Sequence, residues 1–235
     1  MDQTPIRIKS VGTATRLLTW LSPAFPVGGF CYSHGLEYAV EAGLVRDRGS
    51  LENWIDGILR FGAGRSDGLL LLAAHRATIR GNDGQLRDIA DQAAALRGTA
   101  ELAQESIAQG QAFLKAVGSG WPEYAASPSA QVLAGVALAY SVAVGALCAV
   151  ASIAEDTALE AYLAAFAANL VSAGVRLIPL GQSDGLRILA ALEGGTAKYA
   201  ANLIPQSLDD IGNAAVAVDW SSMQHETQYT RLFRS

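Results

Sequence analysis

The sequence predicts an all-α protein: a single-domain bundle of about nine or ten helices with a flexible C-terminal tail. Three observations lead to this prediction. Helix-capping residues and helix-ending glycines or prolines recur along the chain. Apolar residues repeat at helical spacing between them. Alternating strand patterns are confined to two short stretches, 175–180 and 214–218. We therefore expect residues 1–220 to form one helical domain and residues 221–235 to form the tail.

Helix starts are predicted where a small polar residue precedes an apolar repeat. The strongest is Ser127, because Pro128 follows at the first helical position, where its missing N–H costs nothing. Gly81 and Pro179 end predicted helices. Residues 118–122 indicate either a boundary between packed halves or a connection between two helices. In chain order, the predicted helical segments begin near Leu36, Ser50, Ser66–Asp67, Asp83, Thr99, Ser127, Asp156 and Ser207.

The composition indicates a protein that covers much of its surface in an assembly. Hydrophobic residues make up 51% of the chain and charged residues only 17%. That balance favours burial of surface by partners or by a second copy of the chain. The net charge of -5 and the absence of a long basic block argue against a nucleic-acid partner. Two distant cysteines and no signal-peptide pattern predict a cytoplasmic protein.

One uncharged stretch, residues 130–154, is long enough to cross a bilayer. It consists mostly of alanine, valine, glycine and serine, and no lysine or arginine clusters at either end. Such a segment lacks the flanking charges that orient membrane helices. We therefore predict a buried core helix here and no membrane association, with a membrane span as the alternative.

The sequence contains no pattern for a cofactor or metal site. No glycine-rich loop is followed by Gly-Lys-Ser or Gly-Lys-Thr, so the chain should not bind and hydrolyse nucleotide alone. The histidines, His34, His75 and His225, are scattered and do not pair with each other or with a cysteine at metal-ligand spacing. We predict no catalytic residue, no metal ligand and no cofactor.

One segment imitates a serine hydrolase. Ser183 lies in the sequence Gly-Gln-Ser-Asp-Gly, which fits the nucleophile-elbow pattern. Asp209, Asp210 or Asp219, and then His225, follow in the order expected of a serine hydrolase. That elbow stands on a parallel sheet, for which this chain has too few predicted strands. A hydrolase using Ser183 is therefore the alternative function. The favoured interpretation is a loop that caps the next helix.

The tail, SSMQHETQYTRLFRS, is built from residue types that dominate binding hot spots. A helical turn would place Tyr229, Leu232 and Phe233 on one face, flanked by Arg231 and Arg234. A helix this short is marginal in water. The tail is therefore predicted to become ordered against a partner.

Three segments together resemble one family. They are SPAFPVGGFCYSHGLEYAVEAG at 22–43, PLGQSDGLRILAAL at 179–192 and MQHETQYTRLFRS at 223–235. In this order and spacing they resemble the urease accessory protein UreF. The resemblance implies an all-helical, dimeric, non-enzymatic helper. It further implies binding to the accessory protein UreD (also called UreH) and to the GTPase UreG, in an assembly that delivers nickel to apo-urease.

The resemblance also implies site residues. In UreF-like proteins the C-terminal tail becomes ordered on binding UreD, and UreG contact is expected near the 179–192 loop. Arg187 would then act as an arginine finger on the GTPase or remain a solvated residue of the helix. The residues expected to contact UreD are His225, Glu226, Tyr229, Arg231, Leu232, Phe233 and Arg234. Those expected to contact UreG are Gln182, Asp184 and Arg187.

Overall fold

The computed structural model describes residues 12–235, which contain twelve α-helices and no β-strand. Nine of these helices have eight or more residues, in agreement with the predicted all-α domain. Short 3₁₀ turns lie at Gly29–Cys31 and Leu208–Asp210. The helices are α1 (Thr13–Trp20), α2 (Leu36–Glu41), α3 (Arg48–Phe61), α4 (Ala63–Ile79), α5 (Asp83–Ala95), α6 (Ala100–Gly120), α7 (Pro122–Ala125), α8 (Pro128–Leu133), α9 (Tyr140–Val150), α10 (Glu155–Leu177), α11 (Gln182–Leu203) and α12 (Val216–His225).

Two helices begin where the sequence predicts, at residues whose side chains cap the first turn. The hydroxyl of Thr99 accepts the amide N–H of Leu102 at 3.2 Å and begins α6. The hydroxyl of Ser127 accepts the amide of Ala130 at 3.3 Å, with Pro128 at the first position of α8. Both starts were predicted because these caps satisfy amides that have no partner inside the helix.

Two predicted starts are wrong by several residues. The cap of α3 is Asp47, whose carboxylate accepts the amide of Ser50 at 2.8 Å, so Ser50 lies inside the first turn. Helix α4 begins at Ala63 rather than at Ser66–Asp67. Asp67 is buried and binds side chains of other helices instead of capping its own. Core contacts thus override a local capping signal.

Neither alternating stretch forms a strand. Residues 175–180 complete α10 and the turn that follows it, and residues 214–218 lead into α12. Residues 118–122 contain the end of α6, the single connecting residue Trp121 and the start of α7, so they form a helix–helix connection rather than a domain boundary. The predicted division after residue 220 falls within α12, which ends at His225.

Helix α9 forms the centre of the protein, and every residue from Ser141 to Ala149 is buried. It packs against α4, α6 and α10. The uncharged stretch 130–154 is divided between α8, an irregular connection and α9, so the predicted core helix is present but shorter. In residues 12–235, α10 is the helix long and apolar enough to cross a membrane. Half of its apolar window is buried inside the protein, which makes this weak evidence for a span.

Gly145 permits the close approach of α9 to α4. A Cβ atom at this position would lie 2.3 Å from the carbonyl oxygen of Leu71, a backbone atom that no side-chain rotation can displace. We expect Gly145→Ala to lower the free energy of unfolding by about 1–3 kcal/mol, the usual cost of overpacking a core. Urea denaturation followed by circular dichroism measures this change.

Gly194→Ala is the matched control. Gly194 lies within α11, and a Cβ atom there would meet nothing within 4 Å. Alanine is favoured over glycine inside a helix by about 0.5–1 kcal/mol, so this variant should be more stable than the parent. Equal losses from the two substitutions would contradict a specific close contact at Gly145.

Candidate functional site

The last ten residues, 226–235, are called the tail from here on, because they follow the end of α12 and contain no helix. The sequence predicts that the tail orders against a partner. In the structure it packs against the chain's own body. Phe233 is 4% exposed and Ser235 is fully buried, whereas Tyr229 is fully exposed and Leu232 is 65% exposed. The prediction that Tyr229, Leu232 and Phe233 share one face of a helix is therefore wrong.

The tail is bound through its backbone, which explains why it is not helical. One carboxylate oxygen of Glu37 accepts the amide N–H of Leu232 at 2.6 Å, and the other accepts that of Phe233 at 2.8 Å. The amide of Arg234 donates to the carbonyl of Cys31 at 2.8 Å. These amides bind another part of the chain instead of carbonyls in a preceding helical turn. Residues 31–37 thus hold the tail through its backbone, in a non-helical conformation with bends at 229–230 and 232–233.

A glycine brings α12 close to this segment. Gly35 has a φ of +77°, in the left-handed region, and a Cβ atom there would lie 3.0 Å from the amide nitrogen of Ser222 in α12. Both features favour glycine at this position. The turn before α2 and the helix before the tail therefore pack backbone to backbone, which aligns residues 31–37 with the tail.

A buried ion cluster fixes the start of the tail. His225 is fully buried, and its Nδ1 lies 2.7 Å from Oε2 of Glu101 while its Nε2 lies 3.1 Å from Oε2 of Glu37. Arg231 donates from its guanidinium to Oε1 of Glu101 at 3.0 Å. Glu37 comes from α2 and Glu101 from α6. The cluster therefore ties three parts of the chain together.

A second polar cluster holds the end of the tail. The hydroxyl of Ser235 donates to Oε2 of Glu105 at 2.7 Å, and Nδ1 of His34 lies 3.4 Å from Oε1 of the same carboxylate. Burial acts to raise the pKa of Glu105, but His34, Ser235 and Arg97 outweigh it and hold the pKa below its ordinary value. Glu105 is therefore ionised at neutral pH and accepts one hydrogen bond from the tail, that of Ser235.

This second cluster continues into the core. Arg97 binds Asp67, whose carboxylate also accepts the hydroxyls of Ser141 at 3.0 Å and Tyr162 at 3.2 Å. Burial acts to lower the pKa of Arg97, but nearby negative groups, Asp67 first, raise it above its ordinary value. Asp67, Arg97, Glu105 and Tyr162 line a cavity of about 120 Å³, which His34 also lines.

Exposed aromatic and apolar side chains lie on the tail, on α12 before it and on the 3₁₀ turn Gly29–Cys31. The guanidinium of Arg176 lies 3.7 Å from the ring centre of Phe30 and 4.2 Å from that of Phe233, so it bridges the two rings. Phe30 is 62% exposed. On α12, Trp220 and Met223 are also exposed. We call the exposed side chains of Phe30, Trp220, Met223, Tyr229 and Leu232 the contact surface, because aromatic and large apolar residues are enriched at protein–protein interfaces.

Several of these residues were missed by sequence reasoning. Glu37, Glu101 and Arg176 were not singled out, since each belongs to a helix whose ordinary pattern explains a charged residue. Glu101 and Glu105 are four residues apart in α6, which places both on one face of the helix. This pair of carboxylates was the one sequence pattern that could have indicated a polar binding site on α6. The partner of that face lies more than a hundred residues away in sequence, which no local pattern reveals.

The residues predicted to contact UreG lie together elsewhere. Gln182, Asp184 and Arg187 belong to the first two turns of α11 and face solvent fully or in part. Asp184 accepts from the guanidinium of Arg187 at 2.9 Å, an exposed ion pair. Within residues 12–235, none of the three hydrogen-bonds to the tail. They form a separate polar surface.

Comparison with known proteins identifies the family. A UreF family model matches residues 45–193. The chain is 47% identical to the urease accessory protein UreF of Rhodopseudomonas palustris strain HaA2, over 98% of this chain and 97% of that protein. It is 48% identical to the urease accessory protein UreF of Bradyrhizobium sp. strain BTAi1, over 94% and 91%.

The chain belongs to the UreF family. The urease accessory protein UreF of Magnetococcus marinus is 45% identical over 94% of this chain and 96% of that protein. These UreF relatives are named as accessory proteins, which agrees with the prediction that this chain is not an enzyme.

The serine hydrolase alternative is wrong for this UreF chain. Ser183 is the second residue of α11, and no strand precedes it anywhere in the part of the chain that the structure describes. Both ring nitrogens of His225 face the carboxylates of Glu37 and Glu101, so that ring is not placed to activate a serine.

Among residues 12–235, the structure brings together no group of three His, Cys, Asp or Glu side chains that could hold a metal ion.

Proposed function

We propose that this chain is a non-enzymatic accessory protein of urease maturation, which bridges UreD (UreH) and the GTPase UreG and regulates GTP-dependent nickel insertion into apo-urease. Membership in the UreF family supports the accessory role. The observation that carries the bridging role is the contact surface around the docked tail, where large apolar side chains are exposed beside arginines. We further propose that the protein works in the cytoplasm and forms a homodimer. The apolar composition supports the homodimer, because a second copy of the chain would cover exposed apolar surface.

The tail divides into residues that hold it and residues that it presents. His225 and Phe233 are buried among groups of the same chain. Tyr229 and Leu232 have no such cover, and their exposed apolar area is what a partner would bury. We propose that these two residues, with Glu226, Arg231 and Arg234 around them, contact UreD directly. His225 and Phe233 would then act by positioning them.

The double variant Tyr229→Ala, Leu232→Ala tests this assignment. We expect it to weaken UreD binding by about 2–4 kcal/mol, or about 30-fold to 1,000-fold in Kd, because two central apolar anchors are lost. Titration of the purified variant with the UreD homologue measures the loss. Deletion of residues 221–235 is a poorer test, because Ser221, Ser222 and His225 are buried and their removal would damage the body.

The matched control removes the same types of side chain elsewhere. Phe61 and Ile79 are 52% and 64% exposed, and they end α3 and α4 rather than lying on the tail. Phe61→Ala, Ile79→Ala should bind UreD as the parent does. Undiminished binding by the Tyr229, Leu232 variant would refute the role of the tail.

For UreG, we propose that the exposed start of α11 supplies polar contacts. The ion pair between Asp184 and Arg187 is exposed, so it contributes less than about 1 kcal/mol to stability and can open at little cost. Arg187 is therefore free to bind an acidic group of a partner.

Arg187→Ala distinguishes a contact from an arginine finger. We expect the variant to keep the parent's melting temperature, to bind UreG more weakly, and to leave GTP hydrolysis within the complex unchanged. An arginine finger contributes about a thousandfold or more to the hydrolysis rate, so a loss of that size would establish the finger instead. Glu193→Ala removes another exposed charge from α11 and is the control for a general effect of charge on UreG binding.

A further inference from the structure

The cavity of about 120 Å³ lies between α6, α9, α10 and the segment 21–30. Two exposed residues of that segment, Pro23 and Phe30, also line it, so the cavity reaches the surface of the protein there. Among residues 12–235, no residue of the tail lines the cavity. The cavity is therefore accessible to a small molecule and has no wall formed by the tail.

Within residues 12–235, two side chains of the cavity wall have an oxygen atom without a hydrogen-bond partner. Gln109 is 8% exposed, and its Nε2 donates to Oε1 of Glu105 at 3.5 Å, but its own Oε1 accepts no hydrogen bond. The hydroxyl of Tyr140 likewise has no partner. Neither oxygen is fully covered by other atoms of the protein, so both can be reached from the cavity. Oxygen atoms in such largely buried positions normally bind a partner.

A close contact between α6 and the start of α9 brings these two side chains together. A Cβ atom on Gly110 of α6 would overlap the carbonyl oxygen of Leu138, which lies just before α9. Tyr140 consequently packs against the face of α6 that carries Gln109 and Phe113, with its ring centre 5.6 Å from that of Phe113. Burial raises the pKa of Tyr140, so its hydroxyl keeps its proton at neutral pH and can donate.

The charged residues of the cavity wall already face one another. Asp67 binds Arg97, and the carboxylate of Glu105 lies 3.4 Å from Nδ1 of His34. A charged ligand would therefore add an unpaired charge to a largely buried site, which is strongly unfavourable. The oxygen atoms without partners belong to an amide and a hydroxyl, which suit an uncharged ligand that both donates and accepts hydrogen bonds.

The volume of the cavity and its apolar wall limit the size of the ligand. Leu21, Val27 and Phe166 provide apolar surface for a methyl or methylene group. An apolar cavity of about 150 Å³ in another protein holds one benzene molecule. A cavity of about 120 Å³ therefore accommodates a molecule of about four or five non-hydrogen atoms.

We propose that this cavity binds a small uncharged amide, whose N–H groups donate to Gln109 and whose carbonyl oxygen accepts from Tyr140. An amide carries a donor and an acceptor in one planar group, and its apolar end would lie against Phe166. A ligand of four non-hydrogen atoms reaches a Kd of about 0.04 mM at best, so we expect binding in the millimolar range. The site belongs to the isolated chain and does not rest on the proposed function.

Titration of the isolated full chain with three molecules of one shape tests the assignment. Acetamide, acetate and acetamidinium are isosteric, but they carry no charge, a negative charge and a positive charge. We expect acetamide to cause saturable changes in the ¹H–¹⁵N signals of the Gln109 side chain. Nuclear Overhauser effects should join its methyl group to the ring of Phe166. Acetate and acetamidinium should bind at least about tenfold more weakly, because neither finds a free opposite charge.

Removing single polar groups identifies the partners of the amide. Tyr140→Phe and Gln109→Leu each remove one hydrogen-bonding group, so each should weaken acetamide binding by about twofold to tenfold. Tyr199→Phe is the matched control, because the hydroxyl of Tyr199 donates to the carbonyl of Arg60 and lies outside the cavity wall. This variant should bind acetamide as the parent does.

Filling the cavity tests the location independently. Ala165 lines the cavity, so the side chain of Ala165→Leu would occupy the space of the ligand and should abolish binding. Ala164→Leu is its control, since Ala164 is the preceding residue of α10, is exposed and does not line the cavity. Circular dichroism verifies that each variant is folded.

Three results would overturn the proposal. One is the absence of saturable changes near the cavity up to about 100 mM acetamide, well above the expected Kd. Another is binding of acetate or acetamidinium as tight as that of acetamide. The third is acetamide binding that is unchanged in both Tyr140→Phe and Gln109→Leu. If Ala165→Leu does not fold, Tyr140→Phe, which removes a single oxygen atom, still decides. No measurement includes UreD or UreG, so this site and the proposed function can fail independently.

Discussion

Replacing Asp67 with alanine is expected to lower the free energy of unfolding by about 3–5 kcal/mol, the cost of removing one partner of a buried ion pair. Asp67 accepts from Arg97, Ser141 and Tyr162, so it joins α4, α9, α10 and the connection before α6. Its removal leaves the guanidinium of Arg97 buried without its nearest negative charge. Urea denaturation of the purified variant measures the loss.

Two controls separate the buried pair from a general effect of charge. Asp67→Leu combined with Arg97→Met removes both charges and keeps apolar volume, so it should recover much of the lost stability. Asp56→Ala breaks the exposed pair with Arg60 within α3 and should change stability by less than about 0.5 kcal/mol. A loss below about 1 kcal/mol in Asp67→Ala would contradict the buried pair.

Replacing Phe233 with alanine is expected to release the tail while the body stays folded. Phe233 is the buried aromatic residue of the tail, and its ring packs beneath the guanidinium of Arg176. Truncating a buried phenylalanine costs about 3–5 kcal/mol. The tail otherwise docks through a few hydrogen bonds, each with a net value of about 1 kcal/mol, so it should not remain bound. Hydrogen exchange at residues 232 and 233 should lose its protection.

The neighbouring variant Leu232→Ala controls for any change in the tail sequence. Leu232 is 65% exposed, so its truncation should leave the protection of residues 232 and 233 unchanged. The amides of α9 should keep their protection in both variants, since α9 makes its main contacts with α4 and α6. Full protection of the tail in Phe233→Ala would show that the backbone contacts with Glu37 and Cys31 are sufficient by themselves.

The sequence predicted most helices correctly because their ends depend on local chemistry. Thr99 and Ser127 cap helices at the predicted positions, and α10 ends at Leu177 before Pro179. These signals act through hydrogen bonds or steric clashes within a single turn. The predictions failed at Ser66–Asp67, where a polar residue has distant partners that compete with its role as a cap.

The tail illustrates what could and could not be predicted about the site. Its aromatic residues and arginines indicated a binding element. The assumption of helical spacing then placed Tyr229 and Phe233 on one face. Because the carboxylate of Glu37 takes the amides that a helix would use, the tail is not helical, and it presents Tyr229 to solvent while it buries Phe233. The prediction that the tail contacts UreD stays a prediction.

By itself the sequence determined the all-α class, the family and the residue types of the tail, because spacing, composition and motif order are properties of the chain. Tertiary structure alone decided which of those residues hold the tail and which face outward. His225 is separated from Glu37 and Glu101 by more than a hundred residues, and only the packing of α2, α6 and α12 brings them within hydrogen-bond distance. Buried charges must find partners through space, wherever those partners lie along the chain.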